Sequence, residues 1–171
     1  ITPENFLHWD AEHYDFIRKY GYQDFRVAFF PLFPLLWKLL PIAGIGISLV
    51  NALIFLTSFY FLITSYKVKS IESILYLTIP SFIFFYLPYS ESLFFLCSVL
   101  ILVGLKENKS HLVYFGLFLS ILSRPAFTVF IPAFIVTELL HSSSTLKTYV
   151  RIGMYLIIAA VGLLMVGAIQ F

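Results

Sequence analysis

Charged residues and cysteines are both scarce in this sequence, and each scarcity narrows what the protein can be. Charged residues make up 12% of the 171 positions, about half of the roughly 25% that is usual in soluble domains. The formal net charge of +2 is too small to argue for a protein that binds nucleic acid. The one cysteine, Cys97, cannot form an internal disulfide bond, so it says nothing about the redox compartment.

The sequence also lacks the short motifs of several well-known membrane enzymes. It contains no G-x-S-x-G, no H-E-x-x-H, no P-loop and no C-x-x-C pattern. These absences argue against a rhomboid-like or metal-dependent intramembrane protease, a P-loop pump and a redox carrier.

Apolar residues, in contrast, are abundant: they make up 60% of the chain, 20 are phenylalanines, and the mean hydropathy is +0.93. A helix needs about 20 apolar residues to cross a bilayer, and residues 44–66 meet this requirement without a charge. Shorter apolar segments follow at residues 71–88, 91–105, 111–123, 125–140 and 152–169. In the first of these, Pro80 predicts a kink in a crossing helix. The sequence therefore predicts an all-α, polytopic membrane bundle with about five transmembrane helices in residues 44–171.

The first 43 residues have a different pattern and are predicted to form an outer loop. Residues 27–42, "VAFFPLFPLLWKLLPI", contain three prolines and a lysine. This pattern favours a broken, re-entrant or interfacial segment over a full crossing. The polar residues 8–22 are typical of an interfacial helix. Since the chain begins at Ile1, we expect residues 1–171 to be one transmembrane domain that is part of a longer chain.

Lysine and arginine residues in short loops predict the orientation in the membrane. Basic residues follow alternate apolar segments, which places these loops on the cytoplasmic side; they are Lys67, Lys69, Lys106, Lys109, Lys147 and Arg151. Three polar clusters, at residues 8–22, 88–92 and 123–125, then share the outer face. Four further cations lie on this face, where an anionic ligand would require them: Arg18, Lys19, Arg26 and Arg124. Contact with lipid headgroups or ion pairs with nearby aspartates are the alternatives.

The first polar cluster, "HWDAEHYDFIRKYGY", concentrates titratable groups beside Trp9. On a helix, Asp10, His13 and Tyr14 lie on neighbouring turns. A carboxylate held at the membrane surface could serve as the general base for a sugar hydroxyl that attacks an activated donor. The alternative is an amphipathic helix that lies on the membrane with its charges in water. A metal site built from His8, Glu12 and His13 is disfavoured, because the two histidines are five positions apart.

The other two clusters each allow two interpretations. In "LPYSES", residues 87–92, the serines and Glu91 could cap a helix or form the polar floor of a binding site for a sugar or headgroup. In "SRP", residues 123–125, Arg124 could bind a phosphate with its planar fork of donors. Its alternative is a side chain that extends to the outer interface.

Three motifs, "WDAEHYDFIRKYGY", "AFFPLFPLL" and "PYSESLFFL", closely resemble the GPI mannosyltransferase 2 family, the phosphatidylinositol-glycan class V type, together with its prokaryotic relatives. The similarity covers about residues 8–140. It implies a GT-C glycosyltransferase, a multi-pass enzyme that takes its sugar from a polyprenyl phosphate, typically dolichyl-phosphate mannose. The family tends to have Arg-Ser-Asn-Gly where this chain has Arg124-Pro125-Ala126-Phe127, so only the arginine matches there.

The resemblance implies a role for each matched residue. Asp10 would be the general base, with Glu12 and His13 as catalytic neighbours. Arg124 or Arg26 would bind the donor phosphate in a single inverting displacement. The substrate cavity would be lined by Trp9, Tyr14, Tyr89, Ser90 and Glu91.

The resemblance also implies which other molecules take part. No cofactor or metal is expected, with a divalent metal kept as an alternative. The partners would be membrane lipids, a polyprenyl-phosphate sugar and a lipid or GPI-like acceptor, without nucleic acid and with a membrane protein subunit as a further candidate. The membrane would be a prokaryotic plasma membrane or the endoplasmic reticulum. The alternative function is a non-catalytic membrane subunit, or a lipid-binding or carrier module, that keeps the fold.

Overall fold

The computed structural model describes residues 7–141 and 146–171, so the first six residues of the predicted outer loop lie outside it. Within these ranges the chain forms helices and no strand, which confirms the predicted all-α class. The α-helices are α1 (Asp10–Tyr20), α2 (Leu32–Leu39), α3 (Gly44–Tyr66), α4 (Ser70–Leu77), α5 (Glu91–Lys106), α6 (Ser110–Ser123), α7 (Phe130–His141) and α8 (Leu146–Gln170). Short 3₁₀ segments are found at Asp24–Ala28, Pro80–Phe85 and Pro125–Val129.

Two of these helices, α3 and α8, are long and apolar enough to cross a membrane by length and composition. They contain 23 and 25 residues, with a mean hydropathy of 2.0 and 2.5. The helices α5, α6 and α7 contain 16, 14 and 12 residues, fewer than the roughly 20 that a single crossing needs. The structural support for a membrane location therefore comes from α3 and α8.

The apolar segment at residues 71–88 does not form the kinked crossing helix that we predicted. The helix α4 ends at Leu77 after eight residues, and 3₁₀ turns run from Pro80 to Phe85. Between them, Ile79 has an extended backbone with ψ of 121°. A proline disfavours the helical conformation of the residue before it and donates no backbone hydrogen bond, so the helix stops before Pro80. The prediction of a kinked crossing helix over residues 71–88 is wrong.

The proline-containing segment at residues 27–42 is broken, as its prolines predict. The helix α2 follows Pro31 and ends at Leu39, shortly before Pro41. Phe33 and Trp37 are fully buried within it, and the Trp37 indole donates a hydrogen bond to the Ile42 carbonyl at 3.0 Å. This short helix packs against α1 and α6, so the face that carries Phe33 and Trp37 is covered by protein, while Leu39 is exposed.

The helices α3 and α5 run parallel to each other. Near their first turns, Ile47 and Leu93 belong to one buried cluster. At their last turns, the Tyr66 hydroxyl donates a hydrogen bond to the Leu102 carbonyl at 3.0 Å, and the Lys106 ammonium group donates one to the Ser65 carbonyl. The chain between them must therefore return along the whole length of the bundle.

The helices α6 and α8 also run parallel to each other, in the direction opposite to α5. The Tyr114 and Tyr155 rings lie 5.7 Å apart, and about two helical turns further along both helices, Gly162 packs against Ile121. The helix α7 runs back along α8, with the Phe134 ring 4.7 Å from the Tyr155 ring. Because the helices alternate in direction, successive connections lie at opposite ends of the bundle.

Basic residues of alternate loops gather at one end, which we call the basic end. Lys106 lies over the Tyr66 ring at 4.3 Å, beside the end of α3. A cavity of about 190 Å³ joins Asn108 to the ion pair between Glu138 and Arg151, whose atoms lie 2.8 Å apart. The N-terminal segment, the loop before α5 and the end of α6 lie at the opposite end, described below.

The close approach of α5 and α6 depends on Gly116. A Cβ atom at this position would lie 2.9 Å from the Cys97 carbonyl oxygen and 3.0 Å from Ile101. Because the carbonyl belongs to helix backbone, it cannot move aside. We expect Gly116→Val to lower the free energy of unfolding by about 1–3 kcal/mol, measured as a lower melting temperature in detergent.

Gly153 provides the control for this prediction, because a Cβ added there would meet no atom within 4 Å. Gly153→Val carries the same change in helix propensity without the clash. Equal melting temperatures for the two variants would contradict close packing at Gly116.

Candidate functional site

Two tyrosine hydroxyls join the N-terminal segment to the loop that precedes α5. The Tyr14 hydroxyl, from α1, donates a hydrogen bond to the Ser90 hydroxyl oxygen at 2.9 Å. The Tyr89 hydroxyl donates one to the His8 carbonyl at 3.3 Å. Ser90 is the residue that precedes the first turn of α5, yet its side chain makes no capping hydrogen bond to that helix. Its hydroxyl therefore connects two segments of the chain, which the capped-turn interpretation did not anticipate.

An ion pair joins Glu91, in the first turn of α5, to Arg124, directly after α6. A nitrogen of the Arg124 guanidinium donates to one carboxylate oxygen of Glu91. The two side chains are 23% and 34% exposed, so a molecule arriving from outside can reach both. Among the described residues, the second oxygen of Glu91 and the hydroxyl of Ser123 are buried without a hydrogen-bond partner.

Asn51 fixes the loop that carries these residues, and we did not single it out from the sequence. It is fully buried in α3, and its side-chain nitrogen donates to the carbonyl oxygens of Leu87 and Tyr89 at 2.5 and 2.9 Å. Its side-chain oxygen is buried without a partner in the described part of the chain. The signal was available, since Asn51 is the one amide in the apolar run 44–66, and polar groups within such segments are costly.

The charge of Asp10 acts on the two tyrosine hydroxyls described above. Its own side chain forms no hydrogen bond or ion pair within residues 7–141 and 146–171. Burial raises the pKa of Tyr14 to about 12; the Arg124 charge acts to lower it, and the charges of Glu91 and Asp10 raise it further. Burial raises the pKa of Tyr89 as well, and again the charges of Asp10 and Glu91 add to the effect. The charges of Asp10 and Glu91 therefore act on both phenols, and the charge of Arg124 acts on Tyr14.

Other predicted site residues on α1 have different partners. Glu12 is exposed, and its carboxylate lies 3.7 Å from the His8 ring nitrogen. The His13 ring packs against Phe25 and Phe29, with centroids 5.3 and 4.8 Å apart. In the described part of the chain, no hydrogen bond or ion pair joins Glu12 or His13 to Asp10, Glu91 or Arg124.

Trp9 and Arg26 also lie outside this set of contacts. Trp9 precedes α1 with a φ of 53° and is 73% exposed, which suits a ring at a membrane interface. The Arg26 guanidinium covers the Phe16 ring at 3.7 Å and lies 5.2 Å from the Phe25 ring. Within the described ranges, no three or more His, Cys, Asp and Glu side chains form a group that could hold a metal ion.

The raised pKa of Tyr14 predicts a dependence of stability on pH. In the unfolded chain a tyrosine loses its proton near pH 10, whereas folded Tyr14 keeps it to about pH 12. The folded state therefore binds more protons in this window, and its stability falls as the pH rises through it. We expect Tyr14→Phe to cost about 1 kcal/mol at neutral pH, through the lost hydrogen bond to Ser90, and to reduce the alkaline loss.

Melting temperatures in detergent between about pH 8 and pH 11.5 would test this prediction. Tyr20→Phe is the control, because Tyr20 lies on the same helix and is 66% exposed. A Tyr14→Phe variant whose melting temperature falls as steeply as that of the unmodified protein would contradict it.

Comparison of the chain with protein-family models, with curated proteins and with solved structures found no match. The functional conclusion therefore rests on the sequence motifs and on the geometry described above.

Proposed function

We propose that this chain is a membrane glycosyltransferase of the GT-C type. It would move a sugar, mannose by its family resemblance, from a polyprenyl or dolichyl phosphate to a lipid-linked or GPI-like acceptor. The observation that carries the proposal is the position of Asp10. The Asp10 carboxylate has no hydrogen-bond or ion-pair partner in the described ranges, and its charge acts on the same two phenols as the charge of Glu91, which pairs with Arg124.

The contacts supply the groups that such a transfer needs. Asp10 accepts the proton of an acceptor hydroxyl while that oxygen attacks the anomeric carbon of the donor. The new carbon–oxygen bond forms as the bond from the anomeric carbon to the phosphate oxygen breaks, with inversion at that carbon. The electron pair leaves with the polyprenyl phosphate, and the positive charge of Arg124 offsets the added negative charge.

The same proposal includes a location in the membrane. The chain would be a multi-pass protein of a prokaryotic plasma membrane or of the endoplasmic reticulum, with α3 and α8 as full crossings. The shorter helices α5, α6 and α7 would cross as part of the packed bundle. The basic end would face the cytoplasm, as the loop lysines require, and Asp10 and Arg124 would face outward or into the lumen.

Transfer by the full-length protein in proteoliposomes tests the proposal. The donors are polyprenyl-phosphate mannose and polyprenyl-phosphate glucose, labelled in the sugar, and the acceptor is a membrane lipid extract. We expect labelled glycolipid to accumulate from the mannose donor. An absence of transfer from either donor would contradict the enzyme and favour the non-catalytic subunit or lipid carrier.

A further inference from the structure

Five side-chain atoms of the described residues are buried without a hydrogen-bond partner, and three of them belong to the helices α3, α5 and α6. These three are the second carboxylate oxygen of Glu91, the Ser123 hydroxyl and the Asn51 side-chain oxygen. Ser123 and Asn51 are 1% and 0% exposed. Asn51 holds the loop that leads to Glu91, and Ser123 directly precedes Arg124. Glu91 and Arg124 therefore both lie close in the chain to polar atoms that have no hydrogen-bond partner in the described ranges.

A buried acceptor with no partner has a free-energy cost of about 1–3 kcal/mol, and more when it is charged. Such groups in a folded protein call for an explanation, and one explanation is a ligand that supplies the missing partner. Glu91 is the clearest case. An ionised carboxylate has about four acceptor positions on two oxygens, and in the described ranges Arg124 is its one hydrogen-bond partner.

The carboxylate can reach an arriving ligand although its second oxygen is buried. The Glu91 side chain is 23% exposed, and the torsion that turns a carboxylate about its own axis is soft. A partial rotation, with Arg124 following the first oxygen, turns the second oxygen toward the exposed edge. The donor that fills this position must be a hydroxyl or an N–H group, because the carboxylate only accepts hydrogen bonds.

The position of Glu91 selects one hydroxyl of a sugar phosphate. Glu91 is bonded to Arg124, the group proposed to hold the donor phosphate. In a glycosyl phosphate the anomeric carbon carries the phosphate oxygen, and the 2-hydroxyl is on the next ring atom. It is therefore the sugar hydroxyl nearest to the phosphate. Mannose and glucose differ in the configuration at this carbon, so a contact here would also distinguish the two sugars.

We propose that Glu91 accepts a hydrogen bond from the 2-hydroxyl of the donor sugar and thereby selects the configuration at that carbon. This inference rests on the proposed function. A charge-assisted hydrogen bond of this kind predicts that removal of the 2-hydroxyl lowers kcat/KM by about 10- to 100-fold.

A cycle of two donors and two enzymes tests the contact. The donors are polyprenyl-phosphate mannose and its 2-deoxy analogue, and the enzymes are the full-length protein and its Glu91→Gln variant. In the unmodified enzyme we expect the about 10- to 100-fold penalty for the 2-deoxy donor. In Glu91→Gln we expect the penalty to shrink to about threefold, because the amide oxygen of glutamine accepts a weaker, uncharged hydrogen bond from the same hydroxyl. The ratio of kcat/KM for the two donors, measured with one preparation, does not depend on the fraction of the variant that folds.

Two controls distinguish a failure of the proposed Glu91 contact from a failure of the proposed glycosyltransferase activity. Glu107→Gln makes the same chemical change at the basic end, where Glu107 pairs with Lys109 at 2.6 Å, and should keep the full 2-deoxy penalty. An undiminished penalty in Glu91→Gln would overturn the contact while transfer itself still supports the glycosyltransferase. If Glu91→Gln yields no active protein, 3-, 4- and 6-deoxy donors are compared with the unmodified enzyme. A penalty at any of these positions as large as at the 2-position would overturn the proposal.

Discussion

Replacement of Asp10 with asparagine is expected to lower sugar transfer by about 10²- to 10⁴-fold, the range that general-base catalysis contributes. Asparagine keeps the shape of the side chain but cannot take the proton of the acceptor hydroxyl. The melting temperature should stay unchanged, since the Asp10 side chain makes no hydrogen bond or ion pair in the part of the chain that the structure describes. Initial rates in proteoliposomes and thermal unfolding in detergent measure the two quantities.

Asp15 offers the matched control, because it lies on the same helix and has the opposite pattern of contacts. Its carboxylate accepts hydrogen bonds from Arg18 at 2.7 Å and from Lys19 at 2.6 Å. Asp15→Asn should therefore lower stability by about 1 kcal/mol and leave transfer within about threefold of the unmodified enzyme. Full transfer by Asp10→Asn would remove Asp10 as the base.

Replacement of Arg124 with methionine is expected to have two separate effects. Transfer should fall by about 10²- to 10³-fold, since the developing charge on the leaving phosphate loses its partner. Stability should fall by about 1–3 kcal/mol, because Glu91 is left as a partly buried carboxylate with neither oxygen paired. This value lies below that for a fully buried pair, since both side chains are partly exposed.

The double variant Glu91→Gln/Arg124→Met separates the two effects. Removal of the unpaired carboxylate should restore most of the lost stability, while transfer stays low because the cation is still absent. Arg124→Lys keeps the charge but loses the planar fork, and we expect a smaller loss of transfer than with methionine. A double variant that regains transfer would contradict the phosphate-binding role of Arg124, and one that gains no stability would contradict the ion pair.

Local sequence patterns predicted much of the helical structure. The starts of α3 and α5, and the break at residues 27–42, follow from uncharged runs and from prolines. The error at residues 71–88 concerns Pro80, which we expected to kink a crossing helix and which instead separates α4 from the 3₁₀ turns. The parallel direction of α3 and α5 depends on contacts between residues far apart in sequence, such as Lys106 with Ser65, which no local pattern contains.

The candidate site was predictable only as separate pieces. The motifs named Asp10, Glu91 and Arg124, but not that Glu91 and Arg124 pair with each other. Helical spacing alone also could not rank Asp10 above His13, because the choice depends on which side chains face α1. The His13 ring packs against Phe25 and Phe29, whereas the charge of Asp10 acts on the phenols of Tyr14 and Tyr89.

The hydrogen bonds from Asn51 have a mechanical consequence for the loop they hold. The segment from α4 to Phe85 leads directly into this loop, and Ser73 is its one buried residue. Segments with so few buried groups open at low free-energy cost, and such motion would displace Glu91 if the loop moved with them. Because Asn51 belongs to the long helix α3 and binds the loop before Glu91, we expect its two hydrogen bonds to limit how far motion of residues 70–85 displaces the ion pair.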